Sequence, residues 1–371
     1  MKKIFTIALI AILCFNSKWG TYAMEVSAKS AVLINADTNE VIFEKNPHEK
    51  MGMASTTKIM TAICAVEKGN LKDVVKISAN AAGVEGSSMY LTEGEEFYLE
   101  DMLYGLMLNS GNDSAVAIAE HISGSTDKFV ELMNSKAKEL KAYNTSFKNP
   151  NGLDAEGHYT TAYDLAIISA YAMKNPTISE IVETKTKIVT TLKGEKKYLT
   201  NHNKLLKMYK GVRGIKTGYT KKSGRCLSGF AENESIKVIA VTLNAPDDWN
   251  DHIKMYNYGL ENFTSLDVLD KNRKIDEIKI TNSKTKSLLV FPSENFRKTV
   301  AVSELENYRI VYDYATEISA PVIRNQLLGK VNIYYRDELL KSVKILSDRN
   351  IEKCIEKKNF GEMFRLLCML K

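Results

Sequence analysis

The feature that most constrains this chain is a pairing of strand-like segments far apart in sequence. Ser30-Ala31-Val32-Leu33-Ile34 and Glu40-Val41-Ile42-Phe43 flank the turn Asn35-Ala36-Asp37-Thr38-Asn39 and predict a hairpin. Lys237-Val238-Ile239-Ala240-Val241-Thr242-Leu243 predicts a buried strand near the other end of the same block. Between them the periodicity turns helical. Ile59, Ile63 and Val66 give one helix face ending at Gly69, and Val116, Ile118 and Ala119 belong to another apolar helix. Strands at both ends with helices between predict one sheet closed by distant segments. The fold class expected is therefore α/β (α+β), an antiparallel sheet with a helical cluster.

This block runs over residues 24–264. Residues 265–346 change character: Ile278, Ile280, Val300, Val302, Ile310, Val311 and Tyr312 sit in short alternating runs, and Val331–Tyr335 with Ser342–Ile345 predict a terminal hairpin, hence a small β-rich domain. Residues 347–371 form a tail. Phe360, Met363, Phe364 and Leu367 in it fall at i, i+3, i+4 and i+7, the stripe of an amphipathic helix suited to a membrane surface. Residues 1–23 have the form of an export signal. Lys2 and Lys3 precede the apolar run Ile4–Phe15, and Thr21-Tyr22-Ala23 offers small residues for cleavage after Ala23. The expected location is outside the cytoplasm, with the tail at a membrane surface.

Composition matters where it removes partners. With 44% hydrophobic residues and only 6 prolines the chain is neither disordered nor collagen-like. Its net charge of +6 loses meaning once located. Lys2, Lys3 and Lys18 stand in the signal, which holds no acid, and from Arg349 onward six bases face three acids. The basic excess belongs to export and tail, so nucleic acid is not expected. Beyond Cys14, the cysteines Cys64, Cys226, Cys354 and Cys368 show no C-x-x-C spacing, and no histidine belongs to an H-E-x-x-H pair. Neither a metal site nor a cofactor is expected. The five histidines are expected at the surface or at caps.

Chemistry must then come from another nucleophile. S-x-x-K occurs at Ser55, Ser125, Ser135 and Ser283, but only Ser55-Thr56-Thr57-Lys58 opens an apolar helix that can desolvate a lysine. If a helix begins about Ser55, the spacing of three puts the ammonium beside the hydroxyl. The lysine can act as a base only if its pKa falls well below the ordinary ~10.4, which burial and a neighbouring cation would achieve. Ser110-Gly111-Asn112 lies in an interhelical loop entering the core, and Lys216-Thr217-Gly218 suits an exposed strand edge.

The ordered trio Ser55/Lys58, Ser110/Asn112 and Lys216/Thr217/Gly218 resembles the signature of serine β-lactamases and penicillin-binding proteins. With Gly86–Leu91, Leu108–Ala115, Phe147–Leu153 and Gly214–Thr220 it resembles the low-molecular-mass serine D-alanyl-D-alanine carboxypeptidases, the penicillin-binding protein 5-like group. That family also carries a small β domain and an amphipathic C-terminal anchor. The resemblance implies a peptidoglycan stem peptide ending in D-Ala-D-Ala as substrate and β-lactam antibiotics as covalent inhibitors. It implies Ser55 as nucleophile, Lys58 as general base, Ser110 as proton relay, and Lys216 as a positive field beside the substrate carboxylate. Asn112, Thr217 and Gly218 would bind substrate, and the backbone N–H groups of Ser55 and Tyr219 would form the oxyanion hole. Two departures stand out. Members often have histidine after K-T-G, where this chain has Tyr219, and an arginine further on, where Leu243–Trp249 has none, leaving Arg213 and Arg225 as candidates. A β-lactamase is disfavoured by the absence of an E-x-x-L-N glutamate. A non-catalytic β-lactam or peptidoglycan sensor is disfavoured by the intact Ser55, Lys58 and Lys216.

Overall fold

The computed structural model describes residues 2–6 and 24–354. The chain parts into two units, residues 18–265 and residues 1–17 with 266–371.

In the first unit a five-stranded sheet is built from β1 (Ser30–Asn35), β2 (Val41–Lys45), β3 (Val212–Thr220), β4 (Gly224–Glu232) and β5 (Lys237–Leu243). Its order is β2-β1-β5-β4-β3, antiparallel throughout, so the distant segments close one sheet as expected. Ile34 pairs with Ile239 and Val32 with Val241. Strands β1 and β5 are covered on both faces, which is why their sequences are continuous apolar runs rather than alternations. Val32, Ile34, Ile239 and Val241 face a helical cluster, while Ala31, Leu33, Val238 and Ala240 pack with Met255 and Tyr256 on the opposite side. Strand β3 has a partner on one side only, leaving its other edge open.

The helical cluster holds α1 (Lys58–Lys68), α2 (Leu99–Leu108), α3 (Asn112–Ser123) and α4 (Ala162–Met173). Helix α1 is its centre, with Lys58 to Ala65 all buried, and it stops at Gly69. Helix α5 (Asp248–Asn262) covers the other sheet face. Its buried Asp251 accepts hydrogen bonds from the backbone N–H groups of Ser27 and Ala28 and from the Ser27 hydroxyl, pinning the start of the unit.

The second unit is a sheet ordered Lys2–Thr6, Tyr308–Ala315, Leu327–Tyr335, Glu338–Ser347, Ser287–Pro292, Asp276–Thr281 and Glu317–Ser319. Its core is Ile278, Ile280, Leu288, Val290, Val331, Ile333, Val343 and Ile345, joined by Ile351, which bridges Val322. The expected amphipathic helix and the greater part of the expected signal lie outside the described residues. Among the described residues, no helix is long and apolar enough to cross a membrane.

One expectation is corrected here. His158 and His252 are not surface or capping residues: both are buried and hydrogen-bonded to threonines, at 2.8 Å from Thr57 Oγ1 and 3.1 Å from Thr242 Oγ1. Burial holds His158 down to about 4 and His252 to about 3, so both rings stay neutral. The backbone N–H of Lys148 donates to His158 Nδ1, which therefore accepts, leaving the proton on Nε2 for Thr57. Cys64 and Cys226 are buried free thiols, and Cys354 is free and exposed.

Candidate active site

The reactive string does not enter the α-helix directly. Ala54–Thr57 is a turn of 3-10 helix, and α1 begins at Lys58. This sharpens the spacing argument, because with three residues per turn positions i and i+3 eclipse one another. Ser55 Oγ consequently receives a hydrogen bond from Lys58 Nζ at 2.9 Å. Ala54, just before the nucleophile, has φ +46°, a left-handed conformation that alanine rarely adopts.

Lys58 is fully buried, and each direction around its ammonium is filled. It donates to Ser55 Oγ, to Asn112 Oδ1 at 2.7 Å and to the carbonyl of Asn151. Burial and, after it, the positive charge of Lys216 push its pKa well below the ordinary lysine value, partly opposed by Asp113. That is the state a lysine must reach to take a proton from a serine. Lys216 is also buried, and burial lowers it to about 7. Its Nζ donates to the Thr217 carbonyl at 2.9 Å.

Ser110 sits at the α2–α3 turn with φ +59° and is buried at the tip of that loop. Asn112 opens α3. Its amide is more committed than a pure substrate contact requires: Oδ1 accepts a hydrogen bond from Lys58 Nζ and Nδ2 donates to the Glu85 carbonyl at 2.6 Å. One Nδ2 hydrogen is left for a substrate. Asp113 next to it accepts from Ser88 Oγ and from the N–H groups of Met89 and Leu91, tying the Gly86–Leu91 loop to α3.

Strand β3 brings Lys216, Thr217, Gly218 and Tyr219 to the open sheet edge. Gly218 is required by proximity, since a Cβ there would lie 2.9 Å from the Ser55 nitrogen and 3.1 Å from the Thr56 nitrogen. The strand thus runs against the nucleophile turn. Ser55, Ser110, Thr217, Gly218 and Tyr219 line one cleft of about 340 Å³, together with Ser87, His202, Lys204, Arg225, Asp248 and Trp249. Of the two arginines left open by the sequence, Arg213 is spent elsewhere, on Glu183 at 2.9 Å and Glu232 at 2.7 Å, and only Arg225 reaches the cleft. Sequence reasoning misses the Asn151 carbonyl, His158 behind Thr57, and the cleft residues His202, Asp248 and Trp249. No group of side chains able to hold a metal ion occurs among the described residues.

A serine hydroxyl against a desolvated lysine, with a second cation and an open strand edge beside them, defines a serine enzyme that works by acyl transfer. Residues 17–247 match the family described as D-alanyl-D-alanine carboxypeptidase, peptidase S11, and residues 263–353 match penicillin-binding protein 5, C-terminal domain. The chain belongs to the S11 family of D-alanyl-D-alanine carboxypeptidases. It is 35% identical to the D-alanyl-D-alanine carboxypeptidase DacF of Bacillus subtilis (strain 168), with 95% of each chain covered. Penicillin-binding protein 5 from Haemophilus influenzae superposes with a TM-score of 0.73 at 26% identity, over 90% of this chain and all of that one. A point mutant of the Streptomyces K15 DD-transpeptidase gives a TM-score of 0.61 at 30% identity, covering 63% of this chain and 98% of that one.

Proposed function

We propose that this chain is a serine D-alanyl-D-alanine carboxypeptidase that removes the terminal D-alanine from peptidoglycan stem peptides and is acylated by β-lactams. The observation that carries the reading is the buried Lys58 Nζ at 2.9 Å from Ser55 Oγ, with its pKa driven down by burial and by Lys216. Ser55 Oγ attacks the carbonyl carbon of the penultimate D-Ala while Lys58 takes the hydroxyl proton. The negative oxygen that forms is held by the backbone N–H groups of Ser55 and Tyr219, each such donor being worth roughly 3–4 kcal/mol in comparable sites. Ser110 gives its proton to the nitrogen of the departing D-Ala as the C–N bond breaks and is reprotonated by Lys58, which thereby returns to its neutral form. Water then attacks the ester while Lys58 takes a proton from it, and that proton goes to Ser55 Oγ as its bond to the acyl carbon breaks, restoring the serine. A β-lactam follows the same first step, but its ring nitrogen stays tethered after the C–N bond opens and shields the ester from water.

In this reading Lys216 and Thr217 hold the substrate carboxylate, and Gly218, whose place against Ser55 leaves no room for a side chain, lets the substrate backbone approach the β3 edge as an added strand. The location belongs to the same reading: export directed by residues 1–23 and attachment to the outer membrane face through the tail. Cleavage after Ala23 would also remove Lys2–Thr6 and leave Tyr308–Ala315 as a sheet edge.

The test is D-Ala release from an N-acylated peptide ending in D-Ala-D-Ala, with the penicillin adduct mapped by mass spectrometry. Both are expected in the native chain, the adduct on Ser55, and both should vanish in Ser55→Ala. Retention of either in that variant refutes the assignment.

A further inference from the structure

The reaction leaves the buried His158 unused, yet this ring is wired to the nucleophile turn. It packs edge-on against Phe147, with ring centroids 6.0 Å apart, and its Nδ1 accepts from the Lys148 N–H at 3.0 Å. Nε2 therefore carries the proton and donates to Thr57 Oγ1 at 2.8 Å. The Thr57 hydroxyl donates in turn to the Ala54 carbonyl at 2.8 Å. These bonds run in one direction only, from the Lys148 N–H to the carbonyl just before the nucleophile.

That carbonyl governs the direction of a backbone donor. The Ala54–Ser55 peptide is trans, so its C=O and N–H share a plane and point opposite ways. The surroundings agree: a Cβ on Gly152 would lie 2.1 Å from the Ala54 oxygen, whereas one on Gly218 would lie 2.9 Å from the Ser55 nitrogen. The oxygen thus faces the Asn149–Leu153 loop, and the nitrogen faces β3, the strand that also carries Tyr219. Ala54 has φ +46°, a conformation that persists in an alanine only when its surroundings hold it.

We propose that His158 is a positioning residue for the oxyanion hole: through Thr57 it clamps the Ala54 carbonyl and so aims the Ser55 N–H at the negative oxygen of the transition state. This rests on the carboxypeptidase reading above, in which that N–H is one of the two donors. Aim matters more to the transition state than to the bound substrate, because charge on the oxygen grows only as Ser55 Oγ attacks. Loss of the clamp should therefore lower kcat and leave KM nearly unchanged. Three substitutions separate the clamp from mere packing. Thr57→Val keeps the shape of the side chain without its hydroxyl. His158→Asn keeps an acceptor for the Lys148 N–H but is too short to donate to Thr57, and His158→Gln restores a donor at the place of the ring Nε2.

The experiment measures kcat and KM for D-Ala release from an N-acylated peptide ending in D-Ala-D-Ala. Alongside it runs inhibition by a peptide boronic acid, whose boron bonds to Ser55 Oγ as Lys58 takes the hydroxyl proton, placing a boron-bound oxygen in the oxyanion hole. Thr57→Val and His158→Asn should each lower kcat by at least about tenfold with KM within about twofold of native. The boronic acid should bind more weakly by about the same factor. His158→Gln should return kcat to within about threefold of native. A native kcat in Thr57→Val or His158→Asn, a loss confined to KM, or a His158→Gln as slow as His158→Asn overturns the proposal and leaves the carboxypeptidase reading intact. Failure of the native chain to release D-Ala sinks that reading instead. Should His158→Asn fail to fold, Thr57→Val against His158→Gln makes the same test: a slow first and a near-native second uphold the clamp, and equal rates overturn it.

Discussion

Two lysines set the chemistry at the residue scale. Both are buried, and in both the desolvation of the ammonium favours the neutral form. The proposed reaction asks them for opposite states: Lys58 neutral to accept the serine proton, and Lys216 charged to hold the substrate carboxylate and to keep Lys58 depressed. Acylation should therefore rise with pH as Lys58 loses its proton, and fall as pH passes through about 7, where Lys216 loses its own. Deprotonation of Lys216 also removes a cause of the Lys58 depression, which steepens the alkaline limb. The expected profile of the penicillin acylation rate is a bell with its alkaline limb near that value. Lys216→Arg carries a charge that does not titrate in this range, so its alkaline limb should disappear even if its maximum is lower. A variant profile that keeps the native limb assigns that limb to another group.

At the scale of the element, the site is a meeting of four backbone pieces: the 3-10 turn, the α2–α3 loop, the Asn149–Leu153 loop and strand β3. The Asn149–Leu153 loop shows how tightly they meet. Asn149 Oδ1 accepts from the Gly152 N–H at 2.7 Å, the Pro150 carbonyl accepts from Thr61 Oγ1 at 2.6 Å, and the Asn151 carbonyl accepts from Lys58. Gly152 has φ +87°, and a Cβ on it would lie 2.1 Å from the Ala54 carbonyl oxygen, directly behind the nucleophile. Gly152→Ala should thus lose roughly 2 kcal/mol or more of stability and also slow acylation, because the backbone that must yield is that of Ala54 and Ser55. A thermal midpoint and acylation rate both equal to the native values would show that the loop can move away without cost. This loop also marks the limit of what the sequence makes legible. Ser55, Lys58, Ser110 and Lys216 can be read because side-chain chemistry and an apolar context distinguish them from the decoy strings. The carbonyl of Asn151 has no side-chain signature, since any residue supplies one. The sequence does not tell which arginine reaches the cleft, because the place of Arg225 depends on the β3–β4 register and on Asp248 in a separate element. The histidines mislead for a related reason: polarity suggests the surface, and burial is made tolerable by tertiary partners, Thr57 and the Lys148 N–H for His158, Thr242 and the Tyr256 hydroxyl for His252.

At the scale of the whole molecule, the sheet imposes order on the chain. Strands β1 and β2 come before the helical cluster and β3 to β5 after it, so the nucleophile turn and the K-T-G strand meet only once β1 pairs with β5. The sheet is foreseeable from two apolar runs, and the order of its strands is not, because β3 and β4 carry glycines and polar residues dictated by the site. Among the described residues, those lining the cleft all lie between Ser55 and Trp249. The tail instead has a stripe of Phe360, Met363, Phe364 and Leu367 with bases around it. The helix expected there from the sequence would be marginal in water, and the proposed membrane attachment would order it by burying the stripe while anionic headgroups attract the bases. Deleting Asn359 to Lys371 should accordingly move the exported chain from the membrane fraction to the soluble one, while D-Ala release from a soluble peptide stays within about twofold of native. Unchanged partitioning would place attachment in another segment, and a loss of peptide turnover would tie the tail to the catalytic unit after all.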